Sequence, residues 1–329
     1  MRLGGASSQL KAPADVRGAS NGRVPVLYIG GAGRSGSTLL CRVIGEQPHF
    51  HPVGEVLSIW QQGVIENRLC SCGSSFHECP FWQDVADNAP GIFERTAAGQ
   101  FATFSAKWFR TRHMPELWTR ATRTHFEASL PPGYLQALSR LYKSIQEVSG
   151  AKVIVDSSKS PMYGYLIGLV DTLEVTSVQL VRDPRAVAFS WQRRLIDPQA
   201  PEFTYLYQRQ LGIMTLEWIM SNLSMEIVSR VNAARQRRLS YEEFVSDPLS
   251  TARDLAEFAG EGFLHSGNRP DGEMVLPTVH IVSGNPNRFE TGKIPIELDN
   301  EWRSAFKGPR RLLVTTMTLP FLGRYRYLR

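Results

Sequence analysis

The chain has 329 residues, 42% of them hydrophobic and 21% charged, with a formal net charge of +6. That apolar content excludes global disorder and supports a sizeable core, in one large α/β domain with insertions or in two domains. No run approaches the ~18 apolar residues of a membrane span, and the four cysteines do not form a disulfide-rich secreted pattern.

The charge is unevenly placed. Residues 1–23 set Arg2, Lys11, Arg17 and Arg23 against Asp15 in a Gly-, Ala- and Ser-rich stretch, predicted as a flexible tail before a domain over 24–329. This tail has no apolar leader core, so a cytoplasmic location is expected. Residues 302–329 carry Arg and Lys but no acid. A basic surface suits anionic ligands. Aromatic and basic residues are not interleaved as in a nucleic-acid module, and no nucleic-acid partner is expected.

In chain order, Val24–Ile29 reads as a buried strand and Leu39–Ile44 as a helix. Between them lies the glycine-rich stretch Gly30-Gly31-Ala32-Gly33-Arg34-Ser35-Gly36-Ser37-Thr38. A glycine-rich loop between strand and helix turns backbone N–H groups inward, and the helix N-terminus adds partial positive charge, so the loop reads as a phosphate cradle. It nearly matches the Walker A spacing, but Ser37 stands in the lysine slot and the cation moves forward to Arg34. The loop therefore suits a phosphate-bearing ligand other than Mg·ATP. Residues 54–150 show no clear strand and read as a helical insertion. Within it Pro115–Glu127 and Leu135–Val148 are predicted helices, and Phe81–Val85 a short one. Further strands are predicted over Lys152–Asp156, Val175–Val181 and Arg238–Tyr241, alternating with helices over Pro161–Leu169, Pro184–Arg193, Thr204–Val231 and Pro248–Ala259. Strands alternating with helices indicate a parallel sheet covered on both faces. The expected fold is thus an α/β, P-loop-like parallel sheet flanked by helices, with phosphates at the carboxyl ends of its strands.

Those ends carry chemistry. Asp156-Ser157-Ser158-Lys159 closes one strand, Arg182-Asp183-Pro184 another, and Tyr241 a third. Arginine binds phosphate through bidentate charged hydrogen bonds, and an aromatic at a strand end is either core or a platform for a base. Cys70, Cys72, His77 and Cys79 form a separate cluster. Their spacing leaves zinc, a disulfide and reduced thiols all open. Trp60, Trp82, Trp108, Phe109 and Trp118 are concentrated in the insertion, mostly as core and otherwise as walls of an apolar site.

Together these motifs resemble the sulfotransferases that use 3′-phosphoadenosine 5′-phosphosulfate (PAPS). Gly33-Arg34-Ser35-Gly36-Ser37-Thr38 looks like their 5′-phosphosulfate loop. Arg182 with Ser190 looks like their 3′-phosphate motif, and Tyr241-Glu242-Glu243-Phe244 is similar to their Tyr-Glu-Asp-Leu segment. Gly284-Asn285-Pro286-Asn287-Arg288 looks like the C-terminal loop that closes over the nucleotide. The pattern departs from the hormone-type members, which carry lysine in place of Arg34 and a histidine near the place of Lys159. It is closer to the tyrosylprotein and bacterial small-molecule branches; in the tyrosylprotein branch a Gly-Glu pair about twenty residues after the loop arginine supplies the base, and Gly54-Glu55 stands at that distance here.

The resemblance implies sulfuryl transfer from PAPS, without a catalytic metal, to a hydroxyl of a small-molecule, lipid or saccharide acceptor. Glu55 is then the expected base, with His49, His51, His113 and His125 as rivals. Arg34 and Lys159 stabilise the leaving nucleotide. Ser35, Gly36, Ser37 and Thr38 hold the 5′-phosphate, while Arg182, Ser190 and Arg288 hold the 3′-phosphate. The alternatives are a P-loop kinase or other NTPase, with Asp156 as its metal-holding acid, and a catalytically dead nucleotide-binding module. The oligomeric state stays open, a homodimer being among the options.

Overall fold

The computed structural model describes residues 22–193, 210–232, 234–262 and 273–328. Its centre is a five-stranded parallel sheet of β1 (Val24–Gly31), β2 (Phe50–Gly54), β3 (Val153–Lys159), β4 (Leu173–Val181) and β5 (Gln236–Ser240), in the spatial order β2-β3-β1-β4-β5. This is the α/β class expected. Alternation along β1 explains why both faces are covered. Val26 and Tyr28 join a core with the residue 56–149 region, while Leu27 and Ile29 join a second core on the opposite face.

Helix α1 (Ser37–Ile44) follows β1. Between β2 and β3 come short 3₁₀ and π turns and four α-helices: α2 (Pro80–Asn88), α3 (Arg95–Trp108), α4 (Arg120–Ala128) and α5 (Tyr134–Ser149). Next come α6 (Pro161–Ile167), α7 (Pro184–Gln192), α8 (Leu211–Val231), α9 (Tyr241–Ser246) and α10 (Pro248–Phe258). An antiparallel pair, β6 (Glu273–Leu276) and β7 (Gly292–Pro295), precedes α11 (Glu301–Ala305) and α12 (Gly308–Arg324). Helices α6, α7 and α10 begin at proline, and the side chains of Ser160, Asp183 and Asp247 cap them. A third core of Val187, Trp218, Trp302 and Val314 binds α7, α8, α11 and α12 together. None of the helices in the described residues is long and apolar enough to cross a membrane.

On the described residues the structure differs from the sequence reading in three places. Strand β2 was not expected. Phe50-His51-Pro52-Val53-Gly54 lacks a β-branched run, but at the sheet edge proline is tolerated because one side of the strand has no ladder to fill. The predicted helix Pro115–Glu127 is two pieces, a 3₁₀ segment Thr111–Leu117 and then α4, because the Thr119 hydroxyl accepts from the Thr122 N–H and starts a new helix. The predicted start of the long helix at Thr204 lies outside the described residues, and α8 runs from Leu211. The hairpin β6–β7 and helices α3 and α12 had no expectation attached. The tail over residues 1–21 also lies outside the described residues.

Candidate active site

All five strands of the sheet are parallel, so their carboxyl ends share one edge. The chain places Arg34 just past β1, Glu55 just past β2, Lys159 at the end of β3, Arg182 just past β4 and Tyr241 just past β5. A cavity of about 590 Å³ opens here, with Gly33, Arg34, Gly36, Ser37, Thr38, Glu55, Lys159, Asn285 and Arg288 in its wall.

Gly36 caps α1 in the left-handed region, at φ +89°, and no side chain bonds the first N–H groups of the helix. Such a terminus favours an anion. A Cβ at Gly36 would lie 2.6 Å from Cδ2 of Tyr241, so glycine here allows the aromatic ring to pack on the loop. Ser37 and Thr38 are buried in the first turn of α1. Ser35 is buried too, and its Oγ has no hydrogen-bond partner.

Arg34 and Lys159 both have φ of +66°, a region that non-glycine residues seldom occupy. Such backbone conformations cost on the order of 1–3 kcal/mol and persist where the surroundings impose them. The Arg34 guanidinium lies 4.9 Å from the centroid of the Trp191 ring. Burial pulls its pKa down, and the nearby Glu55 carboxylate opposes that. Lys159 Nζ donates to Glu55 Oε1, so the carboxylate rests between two cations. The Glu55 N–H donates to the Ser283 carbonyl at 3.4 Å. Gly54, at φ +72°, admits Ile281 close enough that a Cβ would lie 2.4 Å from its Cγ2.

The C-terminal loop closes this side. The Asn285 N–H donates to Thr38 Oγ1 at 3.2 Å, and Arg288 Nη1 donates to the Gly284 carbonyl at 2.9 Å. Arg42, buried on α1, donates to the carbonyls of Asn287 (2.6 Å) and Glu290 and so ties the loop to the helix. Nothing in the sequence singled out Arg42, because its partners are backbone groups some 245 residues away.

Arg182 is buried behind the cavity wall. Its Nη1 donates to the Arg34 carbonyl (3.1 Å) and its Nη2 to Asp299 (3.2 Å). The guanidinium lies 4.3 Å from the Tyr241 ring centroid, and Nε has no hydrogen-bond partner. Asp299 also accepts from Arg193. Ser190 is half-buried on α7, on the helix face that brings Val187 and Trp191 to the cavity, but it is not itself in the wall.

None of the four rival histidines lines the cavity. His51 stacks on Phe81, and burial lowers its pKa to about 4. His113 and His125 pack against Trp108. Asp156 does not line the cavity either. It is buried, it accepts from Tyr142 and from the N–H and hydroxyl of Ser158, and burial raises its pKa to about 6. Of the five insertion aromatics only Phe109 reaches the wall. Trp60, Trp82 and Trp108 are core, and Trp118 is 41% exposed. Elsewhere the wall combines Leu57, Met114, Met214 and Trp218 with Gln62, Arg68, Thr111, Glu217 and Ser221, a lining of mixed apolar and polar side chains rather than the apolar site expected.

A model of the Sulfotransferase family matches residues 25–264. Among solved structures, the chain is similar to the sulfotransferase domain of the olefin synthase from Synechococcus PCC 7002, at 20% identity over 91% of this chain and 94% of that one, with a TM-score of 0.46. The sulfotransferase domain from the curacin biosynthetic pathway is 16% identical over 89% and 97%, with a TM-score of 0.46. Sulfotransferase STF9 from Mycobacterium avium is 11% identical over 92% and 76%, with a TM-score of 0.43. At such TM-scores the likeness is loose, and the family match carries the assignment. No curated protein matches significantly.

Proposed function

The chain belongs to the sulfotransferase family, and we propose that it moves the sulfuryl group of PAPS to a hydroxyl of a small-molecule, lipid or saccharide acceptor by in-line displacement. One observation carries this reading. Ser37 occupies the position of the Walker lysine, while Arg34 and Lys159 converge on an uncapped helix N-terminus with Glu55 beside them.

The 5′-phosphosulfate end lies on the loop, held by the N–H groups at the start of α1 and the hydroxyls of Ser35, Ser37 and Thr38. Arg182, Ser190 and Arg288 receive the 3′-phosphate, with Tyr241 alongside and Asn285 closing the loop over the nucleotide. Glu55 takes the proton of the acceptor hydroxyl. The acceptor oxygen bonds to sulfur as the bond from sulfur to the bridging oxygen breaks, and the electron pair leaves with the nucleotide phosphate. Charge grows on that bridging oxygen, where fixed cations stabilise the transition state without reorganisation. Lys159 is the switch in this scheme. It releases Glu55 when it turns to the donor, so the base is freed only when the leaving group is engaged. The acceptor's carbon body lies against Leu57, Phe109, Met114 and Trp218.

The test is thermal unfolding with the desulfated nucleotide. At about 100 times its dissociation constant a ligand stabilises by ~2.7 kcal/mol. Stabilisation by this nucleotide without added divalent metal is the expected result. Stabilisation by Mg·ATP with none by the desulfated nucleotide overturns the reading.

A further inference from the structure

The cysteine cluster gains its fourth member from the far end of the chain. Sγ of Cys70, Cys72 and Cys79 and Nδ1 of His280 all lie within 4.8 Å of one another. Nδ1 of His280 is 3.2 Å from Cys79 Sγ and 3.9 Å from Cys70 Sγ, and the sulfurs of Cys72 and Cys79 are 3.6 Å apart. All four cysteines are free thiols, and His77 points elsewhere, with Nε2 3.1 Å from the Val64 carbonyl. A tetrahedral zinc ion with Zn–S bonds of roughly 2.3 Å sets its ligand atoms roughly 3.5–3.8 Å apart. These separations are close to that spacing before any metal has drawn the ligands in.

We propose that Cys70, Cys72, Cys79 and His280 bind one structural zinc ion, which staples the turn over residues 70–79 to the segment entering the C-terminal loop of the site. Three N/S ligands come from one short turn, and Gly73, with φ +94°, lets that turn close, its N–H donating to the Cys70 carbonyl. The remaining ligand is long-range. Phe81 stacks on the His280 ring at 5.1 Å and 12° and fixes its plane. Ser71 already stitches the two segments together, donating from its hydroxyl to the Val279 carbonyl and from its N–H to the Ile281 carbonyl, and accepting from the Ile281 N–H. Two residues further on, the Ser283 carbonyl accepts from the Glu55 N–H, and Gly284 and Asn285 enter the cavity wall. The metal therefore acts on the site through the position of residues 281–288 and takes no part in bond breaking. On binding, the three thiols give up their protons and the imidazole binds through neutral Nδ1.

The test uses the full chain with its affinity tag removed, reduced, dialysed and analysed for metal by mass spectrometry. About one zinc per chain is expected, either as isolated or after incubation of the reduced chain with zinc chloride. Cys72→Ser, at the half-buried member, and His280→Ala should each lower that content at least fivefold after dialysis against a competing chelator. Cobalt substitution should give the visible bands of a tetrahedral thiolate site. Hydrogen exchange over residues 279–289 should accelerate at least tenfold on zinc removal. No zinc under either condition, variants that hold as much zinc as the parent, or an intact mass 2 Da low from a Cys–Cys bridge would overturn the site. Unchanged exchange over 279–289 would overturn the staple. Neither readout involves a nucleotide, so failure of the sulfuryl-transfer reading leaves both standing.

Discussion

Gly36→Ala tests whether the loop must meet Tyr241 as closely as the structure shows. The new methyl would lie 2.6 and 2.7 Å from ring carbons Cδ2 and Cε2 of Tyr241, well inside contact distance. The ring has little room to retreat, because the buried Arg182 guanidinium stacks on it at 4.3 Å. Alanine in the left-handed region costs ~1–2 kcal/mol, and overpacking a filled site costs ~1–3 kcal/mol. Together these amount to ~2–5 kcal/mol, or roughly 3–7 °C in Tm for a chain of this length. Gly133→Ala is the control. Gly133 also has a positive φ, +77°, but nothing lies within 4 Å of its Cβ position, so only the backbone cost applies. Urea unfolding of both variants, with calorimetric titration of the desulfated nucleotide, separates the two effects. Gly36→Ala should be the less stable by ~1–3 kcal/mol and should bind the nucleotide at least ~10-fold more weakly, since Tyr241 and Arg182 must shift together. Equal stability of the two variants with undiminished affinity in Gly36→Ala would refute the close-packing argument.

Glu55→Gln should lower kcat by ~10²–10⁴-fold, the usual contribution of a general base, while nucleotide affinity survives in titration; equal turnover would reassign the base. Arg182→Ala should weaken the desulfated nucleotide by ~10–100-fold, as loss of a charge-assisted contact of ~1.5–3 kcal/mol implies, and unchanged affinity would remove Arg182 from the anion site. Asp299→Asn should act in the opposite direction, tightening the nucleotide by ~2–5-fold, because the incoming phosphate no longer competes with a partly exposed ion pair for Arg182 and Arg193. Asp156 supplies a pH dependence. Its folded pKa of about 6 lies above the unfolded value near 3.9, so between those values the folded state binds the extra proton, and stability falls as pH rises through that window. The group accounts for a loss of ~3 kcal/mol, and Asp156→Asn should remove that slope in urea titrations from pH 4 to 7.

The sheet was legible where a strand runs through two covered faces. Val24–Ile29 is a continuous apolar run, and Val175–Val181 is mostly apolar or β-branched, interrupted by the buried Ser177 and Gln179, as burial on both faces favours. Strand β2 was not legible, since an edge strand may hold proline and histidine and its partner β3 is a hundred residues away. The strand-end residues were readable because a parallel sheet gathers its carboxyl ends, so order along the chain becomes proximity in space. Lys159 and Glu55 meet for this reason, and no local motif joins them. Contacts made through backbone carbonyls, such as those of Arg42 with Asn287 and Glu290, leave no side-chain pattern to find. His280 was missed for a related reason. Metal-ligand spacing is sought within a short window, and its partners lie some two hundred residues earlier. His77 sits inside that window, but its ring turns to the Val64 carbonyl.

The resting arrangement has a physical logic of its own. Arg34 and Lys159 are two cations in the wall of one cavity, each on strained backbone, and like charges that close repel. Glu55 beside them offsets that repulsion, and behind the wall Asp299 does the same for the buried Arg182 and the exposed Arg193. A donor with anionic groups at two ends can replace both carboxylates at once, one at each cation pair. On the proposed reading each replacement exchanges one charged contact for another, so the cations stay compensated while Asp299 and Glu55 are both released, and the freed Glu55 carboxylate in the cavity wall has a proton site to fill.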